Sequence, residues 1–169
     1  GVRIRVDEIE ILVLGPDSSS SDAGSAKRTS SNDTSLMLRI TSGDFRYVTT
    51  GDATAEEEMQ ALSRWPAESL RADVLKVGHH GSRTSSSAAW LDAVRPTVAI
   101  ISAGAGNRFG HPHPEVVQRI RRAGIPEVWR TDRRGTLCID IRSDGSWRMA
   151  GRNAWKRAAA AGPESRHED

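Results

Sequence analysis

The sequence has one cysteine, Cys138, which excludes an intrachain disulfide framework and any cysteine-rich zinc site. It has no apolar run near the roughly 20 residues a membrane-spanning helix requires. Its first residues lack the basic-then-apolar pattern of a signal peptide, so any membrane attachment is expected to come from elsewhere. It has little charge imbalance: 24 basic against 22 acidic residues leave a formal net charge of +2, too balanced for a wholesale polyanion binder. There is no Gly-x-Ser-x-Gly nucleophile elbow and no phosphate-cradling loop ending in Gly-Lys-Ser/Thr, and no internal repeat is visible. What remains is 169 residues with 37% apolar and 27% charged side chains, enough for one core under a highly polar surface.

Alternation of Val2, Ile4 and Val6 with Arg3, Arg5 and Asp7 predicts a half-buried strand, and residues 9–14 a second, ended by Gly15-Pro16. Residues 17–34, serine-rich and almost without apolar side chains, read as a mobile loop with Lys27 and Arg28 at its tip. Residues 35–41 and 45–50 read as a hairpin turning at Ser42-Gly43-Asp44. Residues 55–65 read as a helix with Glu56, Glu57 and Glu58 at its start, Met59 and Leu62 three apart, and Pro66 as its stop. Residues 73–78 are a short strand, 86–94 a helix with Ser85 to Ser87 as cap candidates, and 97–102 an apolar strand covered on both faces. A helix is expected from Pro114 to Gly124, a short strand at Val128-Trp129, and a terminal antiparallel pair over 136–141 and 146–149. Residues 152–169 form a disordered or weakly helical tail to a body over 1–151. Strands alternating with helices point to an α/β fold whose chemistry sits where strands end.

Three strand ends carry candidates. The strand over 45–50 runs into Gly51-Asp52, where a carboxylate beside a glycine suits a cation, although a helix N-cap is the better explanation of that aspartate taken alone, before the next strand end is considered. The strand over 73–78 runs into His79-His80-Gly81-Ser82. Two adjacent histidines between glycines are poor core material, and in an extended segment neighbouring side chains point to opposite sides, leaving one imidazole for a metal and one for proton transfer. The third is Asn107-Arg108-Phe109-Gly110-His111-Pro112-His113-Pro114, where His111 is open to function and His113 reads as a helix cap position. Arg108, with Arg130, Arg133 and Arg134 around Thr131-Asp132, suits phosphate contact.

Taken in order, Asn32-Asp33-Thr34-Ser35-Leu36, Thr50-Gly51-Asp52, Leu75-Lys76-Val77-Gly78-His79-His80-Gly81-Ser82, Asn107-Arg108-Phe109-Gly110-His111-Pro112 and Thr131-Asp132-Arg133-Arg134-Gly135 resemble the C-terminal metallo-β-lactamase-fold domain of ComEC-type DNA-internalisation competence proteins. The resemblance runs over about residues 9–141. It implies an αββα sandwich of two similar halves with a metal site at the rim between them, this chain being mainly the C-terminal half, a mixed sheet with helices packed on it. The His-x-His-x-Asp-His cluster of the first half is absent from these residues.

The resemblance further implies metal-assisted phosphodiester hydrolysis with zinc or manganese at a site incomplete in this chain. Asp52 and His79 are the implied ligands, with His80 and His111 for proton transfer or phosphate holding, and Asn32, Asp33, Ser82 and Arg108 for substrate. Which of His79 and His80 meets metal stays open. The implied partners are single-stranded DNA taken up in natural transformation, the transmembrane channel of the same parent protein and the missing half-domain, on the extracytoplasmic side of the membrane. A DNA-binding or structural module with a decayed metal site, or a hydrolase of another phosphoester, are the competing readings.

Overall fold

The computed structural model of the protein describes residues 1–16, 31–142 and 145–151. Residues 17–30 of the expected serine-rich loop, with Lys27 and Arg28, the expected tail at 152–169, and Ser143 and Asp144 of the expected turn lie outside the described residues. Nine strands are described: β1 (Arg3–Val6), β2 (Ile9–Gly15), β3 (Met37–Ser42), β4 (Phe45–Thr49), β5 (Val74–Lys76), β6 (Val98–Ile101), β7 (Glu127–Arg130), β8 (Cys138–Ile141) and β9 (Trp147–Ala150). Helices are α1 (Ala55–Arg64), α2 (Ala67–Leu70), α3 (Ala88–Val94), α4 (Pro114–Arg122) and α5 (Thr131–Arg134), with 3₁₀ turns at Ser31–Thr34 and Gly78–Gly81. The expected α/β architecture is present: β1 to β7 form one sheet in sequence order, antiparallel from β1 to β4 and parallel from β4 to β7.

Local chemistry explains the helix ends. Thr54 caps α1 in a capping box with Glu57, so the cap is two residues beyond Asp52 and leaves that carboxylate to the strand end. Ser87 caps α3, and Pro114 opens α4 where its missing N–H costs nothing. Helices cover one face of the sheet: Leu12, Leu14, Met37, Val48, Leu75, Ala99 and Ile101 pack with Trp90, Leu91, Val94, Val116 and Ile120. On the other face the β8–β9 hairpin closes over Phe45, Val74 and Val98, with Phe45 and Trp147 rings 5.3 Å apart.

That second face is covered only in part. Register puts Ile4 opposite Ile11, Ile11 opposite Ile40 and Ile40 opposite Tyr47, so these share the face of Phe45. Val2, Ile4, Val6 and Ile9 nevertheless stay 60%, 46%, 57% and 42% exposed. The expectation of a half-buried first strand is therefore corrected: all of β1 is exposed, because it is the sheet edge and its apolar side faces away from the helices. Its other side is tied down by Arg3 and Arg5, both paired with Glu10 at 3.0 Å. A second correction falls in α1, where Met59 is 57% exposed while Glu57, Glu58 and Ala61 are buried. Glu57 and Glu58 face inward, where Thr54 and the backbone of 86–87 take up their carboxylates, while Glu56 stays exposed.

Candidate functional site

Because β4, β5 and β6 are parallel neighbours, their C-terminal ends share one rim. Gly51-Asp52 leaves β4 there, His79 and His80 leave β5, and residues 102–113 leave β6. The His79 N–H donates to the Gly51 carbonyl at 3.0 Å, stitching the first two ends together. The His113 N–H donates to the Gly81 carbonyl at 3.0 Å, stitching the second to the third.

The histidines do not lie in an extended segment, which corrects the reason given for their opposite orientations. Gly78–Gly81 is a tight turn in which His79 (φ 45°) and His80 (φ 56°) are both left-handed, a conformation costly for side-chain-bearing residues. Its glycines answer to packing. A Cβ on Gly78 would stand 2.8 Å from Thr50 Oγ1, and one on Gly81 (φ 83°) would stand 2.5 Å from Pro112 Cβ. The turn is braced from beneath. Ser85 Oγ donates to the Gly78 carbonyl at 2.8 Å, and Ser86 Oγ accepts from the Gly78 N–H at 3.1 Å.

His80 is the imidazole that approaches the aspartate: its Nε2 lies 3.6 Å from Asp52 Oδ1. Its Nδ1 lies 2.7 Å from the Ser102 carbonyl. A carbonyl only accepts, so Nδ1 carries the proton and the Nε2 lone pair is directed at the Asp52 side in the neutral ring. The Asp52 N–H is itself held by Ser35 Oγ at 3.2 Å, which brings the segment after Asn32 and Asp33 to this rim. His79 stands with its ring 6.4 Å from that of His80 and 5.7 Å from that of His111, and its buried Nδ1 has no hydrogen-bond partner. Burial, then the neighbouring imidazoles of His113, His79 and His80, hold His111 below its ordinary value of 6.5 against the opposing pull of Asp52.

Of the other candidates, Arg108 is exposed with its guanidinium 4.9 Å from the Phe109 ring centroid. Ser82 is buried and its hydroxyl pairs with Thr84 Oγ1 at 3.0 Å. Asn32 sits in the 3₁₀ turn Ser31–Thr34, and the Asp33 side chain lies outside what is described. Arg130 spends its fork on Asp132, at 2.9 and 2.6 Å, so that phosphate contact is already engaged, whereas Arg134 lies over the Trp129 ring at 4.2 Å much as Arg108 lies over Phe109.

Sequence reasoning missed Lys76. It points into the half-covered face, donates to the Gly51 carbonyl at 3.3 Å, and is held below its usual range by burial, with Asp52 opposing that shift. The signal was a lysine closing an otherwise apolar three-residue strand. A cavity of about 400 Å³ opens beside His80, lined by Ser102, Asn107, Phe109, His111 and Thr131.

The donor chemistry suits a divalent cation of borderline hardness, since a carboxylate and an imidazole nitrogen converge. Among the described residues, however, no three His, Cys, Asp or Glu side chains form a metal-holding group. These residues fit part of a coordination shell and do not close one.

No family model matches the chain. It is 37% identical over 134 residues to ComE operon protein 3 of Bacillus subtilis (strain 168), a match covering 79% of this chain and 16% of that protein. It is 38% identical over 119 residues to Competence protein ComA of Neisseria gonorrhoeae, covering 70% of this chain and 17% of that one. A third match, to Recombination protein 2 of Haemophilus influenzae, is 43% identical over 91 residues, 54% of this chain and 11% of the relative. The chain thus spans about a sixth of the length of the first two relatives.

Proposed function

We propose, for a chain that belongs to the ComEC-type competence proteins, that it is one half of a metal-dependent phosphodiesterase unit acting on DNA during uptake. The observation that carries this reading is the convergence of Asp52 and His80 Nε2, 3.6 Å apart, on a rim shared by three parallel strands. Asp52 and one imidazole of the His79–His80 pair hold a divalent cation, zinc or manganese, and the 3.6 Å approach favours His80. The remaining donors come from a second half bearing His-x-His-x-Asp-His, whose sheet covers the apolar face of Val2, Ile4, Val6 and Ile9. The cation, when bound, supplies an activated nucleophile and neutralises charge building on the phosphate.

The chain's own groups divide the remaining work. Ser102 fixes the His80 tautomer, His111 accepts or returns a proton at the cavity wall, and Arg108 meets the phosphate of the strand. The substrate is single-stranded DNA, and the unit works on the extracytoplasmic side of the membrane beside a channel portion of the same parent. No described helix is long and apolar enough to cross a membrane, so the channel is built from other residues.

Cleavage of single-stranded DNA by this chain with added manganese tests the reading. The expected outcome is weak cleavage at most, lost in Asp52→Ala; vigorous cleavage by the chain alone overturns the division of ligands between halves. A second reading is favoured by the lack of three converging donors among the described residues: a module that binds DNA without metal. Salt-dependent DNA binding indifferent to chelator and to Asp52→Ala would mark it.

A further inference from the structure

The loop between β6 and α4 presents Phe109 to solvent at 61% exposure, the most exposed large apolar side chain on the described surface. The loop is nonetheless fixed. Asn107 Nδ2 donates to the carbonyls of Gly104 at 2.8 Å and His111 at 2.6 Å, and Asn107 Oδ1 accepts from the His111 N–H at 2.9 Å. A ring held out by a braced loop is placed there at the cost of apolar exposure, which a covering ligand would remove.

The surroundings say what kind of ligand. Phe109 and His111 are within 22° of parallel, and His111 and His80 within 23°, so the three rings line the cavity as a series of similarly inclined planes. Arg108 adds a guanidinium 4.9 Å from the Phe109 centroid. Flat walls ask for a flat ligand, and the cation beside them asks for an anion joined to it. A nucleobase with its phosphate is both, and about 400 Å³ is room for a single nucleotide.

We infer that Phe109 and Arg108 form a stacking subsite that holds one unpaired nucleobase of the substrate strand beside Asp52 and His80. The inference rests on the phosphodiester reading above and adds to it how the strand is positioned. Stacking against Phe109 is blind to base identity but requires an unstacked base, so the subsite selects single strands over duplex.

The test is fluorescence anisotropy of two end-labelled single strands of equal length, oligothymidylate and its abasic counterpart, with the wild-type chain, Phe109→Leu and Phe109→Trp. Stacking worth about 1–3 kcal/mol per base corresponds to roughly 5- to 150-fold in affinity. Wild type is expected to prefer oligothymidylate by at least about fivefold on that scale. Phe109→Leu, an exposed and volume-similar change, should lose the preference while binding the abasic strand unchanged. Phe109→Trp should keep the preference and show quenching of the new indole when the base stacks. A base preference that survives in Phe109→Leu overturns the subsite while sparing the phosphodiester reading. So does an equal loss on both strands, which would assign Phe109 to loop shape or a protein contact. Failure of the wild-type chain to bind either strand overturns both.

Discussion

Replacing Glu58 by alanine should loosen the His79–His80 turn from a distance. Glu58 is fully buried, and its two carboxylate oxygens accept the N–H groups of Ser86 at 2.5 Å and Ser87 at 2.8 Å. Arg119 grips the same stretch from the other side, donating to the carbonyls of Ser85 and Ser86 at 2.8 and 2.9 Å. Ser85 and Ser86 in turn hold Gly78, and Ser86 is itself left-handed (φ 54°). Removing the carboxylate orphans the buried Ser86 N–H at about 1–3 kcal/mol and the partly buried Ser87 N–H at less than that. Relief of burying a carboxyl offsets part of that loss, leaving about 3 kcal/mol of destabilisation by urea unfolding. Glu58→Gln retains one acceptor and should lose about half as much.

The pH dependence has a definite sign. Burial raises the Glu58 carboxyl above its ordinary 4.5 against the pull of the Ser86 and Ser87 hydrogen bonds and of Arg119. The native state then binds more protons than the unfolded one, so this group's contribution falls as pH rises from 4.5 through the raised value. Glu58→Gln should flatten that slope. A Glu58→Ala variant within about 1 kcal/mol of wild type would refute the brace, since even one orphaned buried donor costs that much.

Gly81→Ala forces a Cβ against Pro112 at 2.5 Å in a left-handed backbone, and should lower the melting temperature and broaden the imidazole resonances of His80 and His111 together. The two faces of the sheet should respond oppositely to truncation. Leu12→Ala, beneath the helices, should cost about 2–5 kcal/mol in the urea transition. Ile4→Ala, on the uncovered side, should stay within about 0.5 kcal/mol unless a partner half is added. A large loss from Ile4→Ala in the chain alone would mean that face is already packed.

How much of this was legible in the sequence depended on range. Strand ends were readable because apolar runs stop at Gly51 and Gly78, and parallel neighbours then bring their ends together regardless of loop detail. The hairpins, the Pro114 start of α4 and the apolar β6 followed from equally local rules. What escaped were features set by contacts distant in sequence. Glu58 reads as one of three carboxylates at a helix start until residues 86–87 supply its donors 28 and 29 positions away. The left-handed backbone at His79 and His80 sits between glycines packed against Thr50, Ser85 and Pro112, contacts that lie far off in sequence and that the local pattern does not report. The exposure of β1 depended on which layer covers its apolar side, and alternation reports only that one side is apolar.

Metal binding at this rim requires Asp52 and the Nε2 atom of His80 to act as a donor pair. Nitrogen-resolved NMR of the imidazoles during zinc titration of the chain reads this atom by atom. Zinc is expected to perturb His80 Nε2 while Nδ1 keeps its proton on the Ser102 carbonyl, and Asp52→Asn is expected to weaken the response. Zinc that leaves His80 Nε2 unperturbed, or that perturbs it equally in Asp52→Asn, would contradict the pairing.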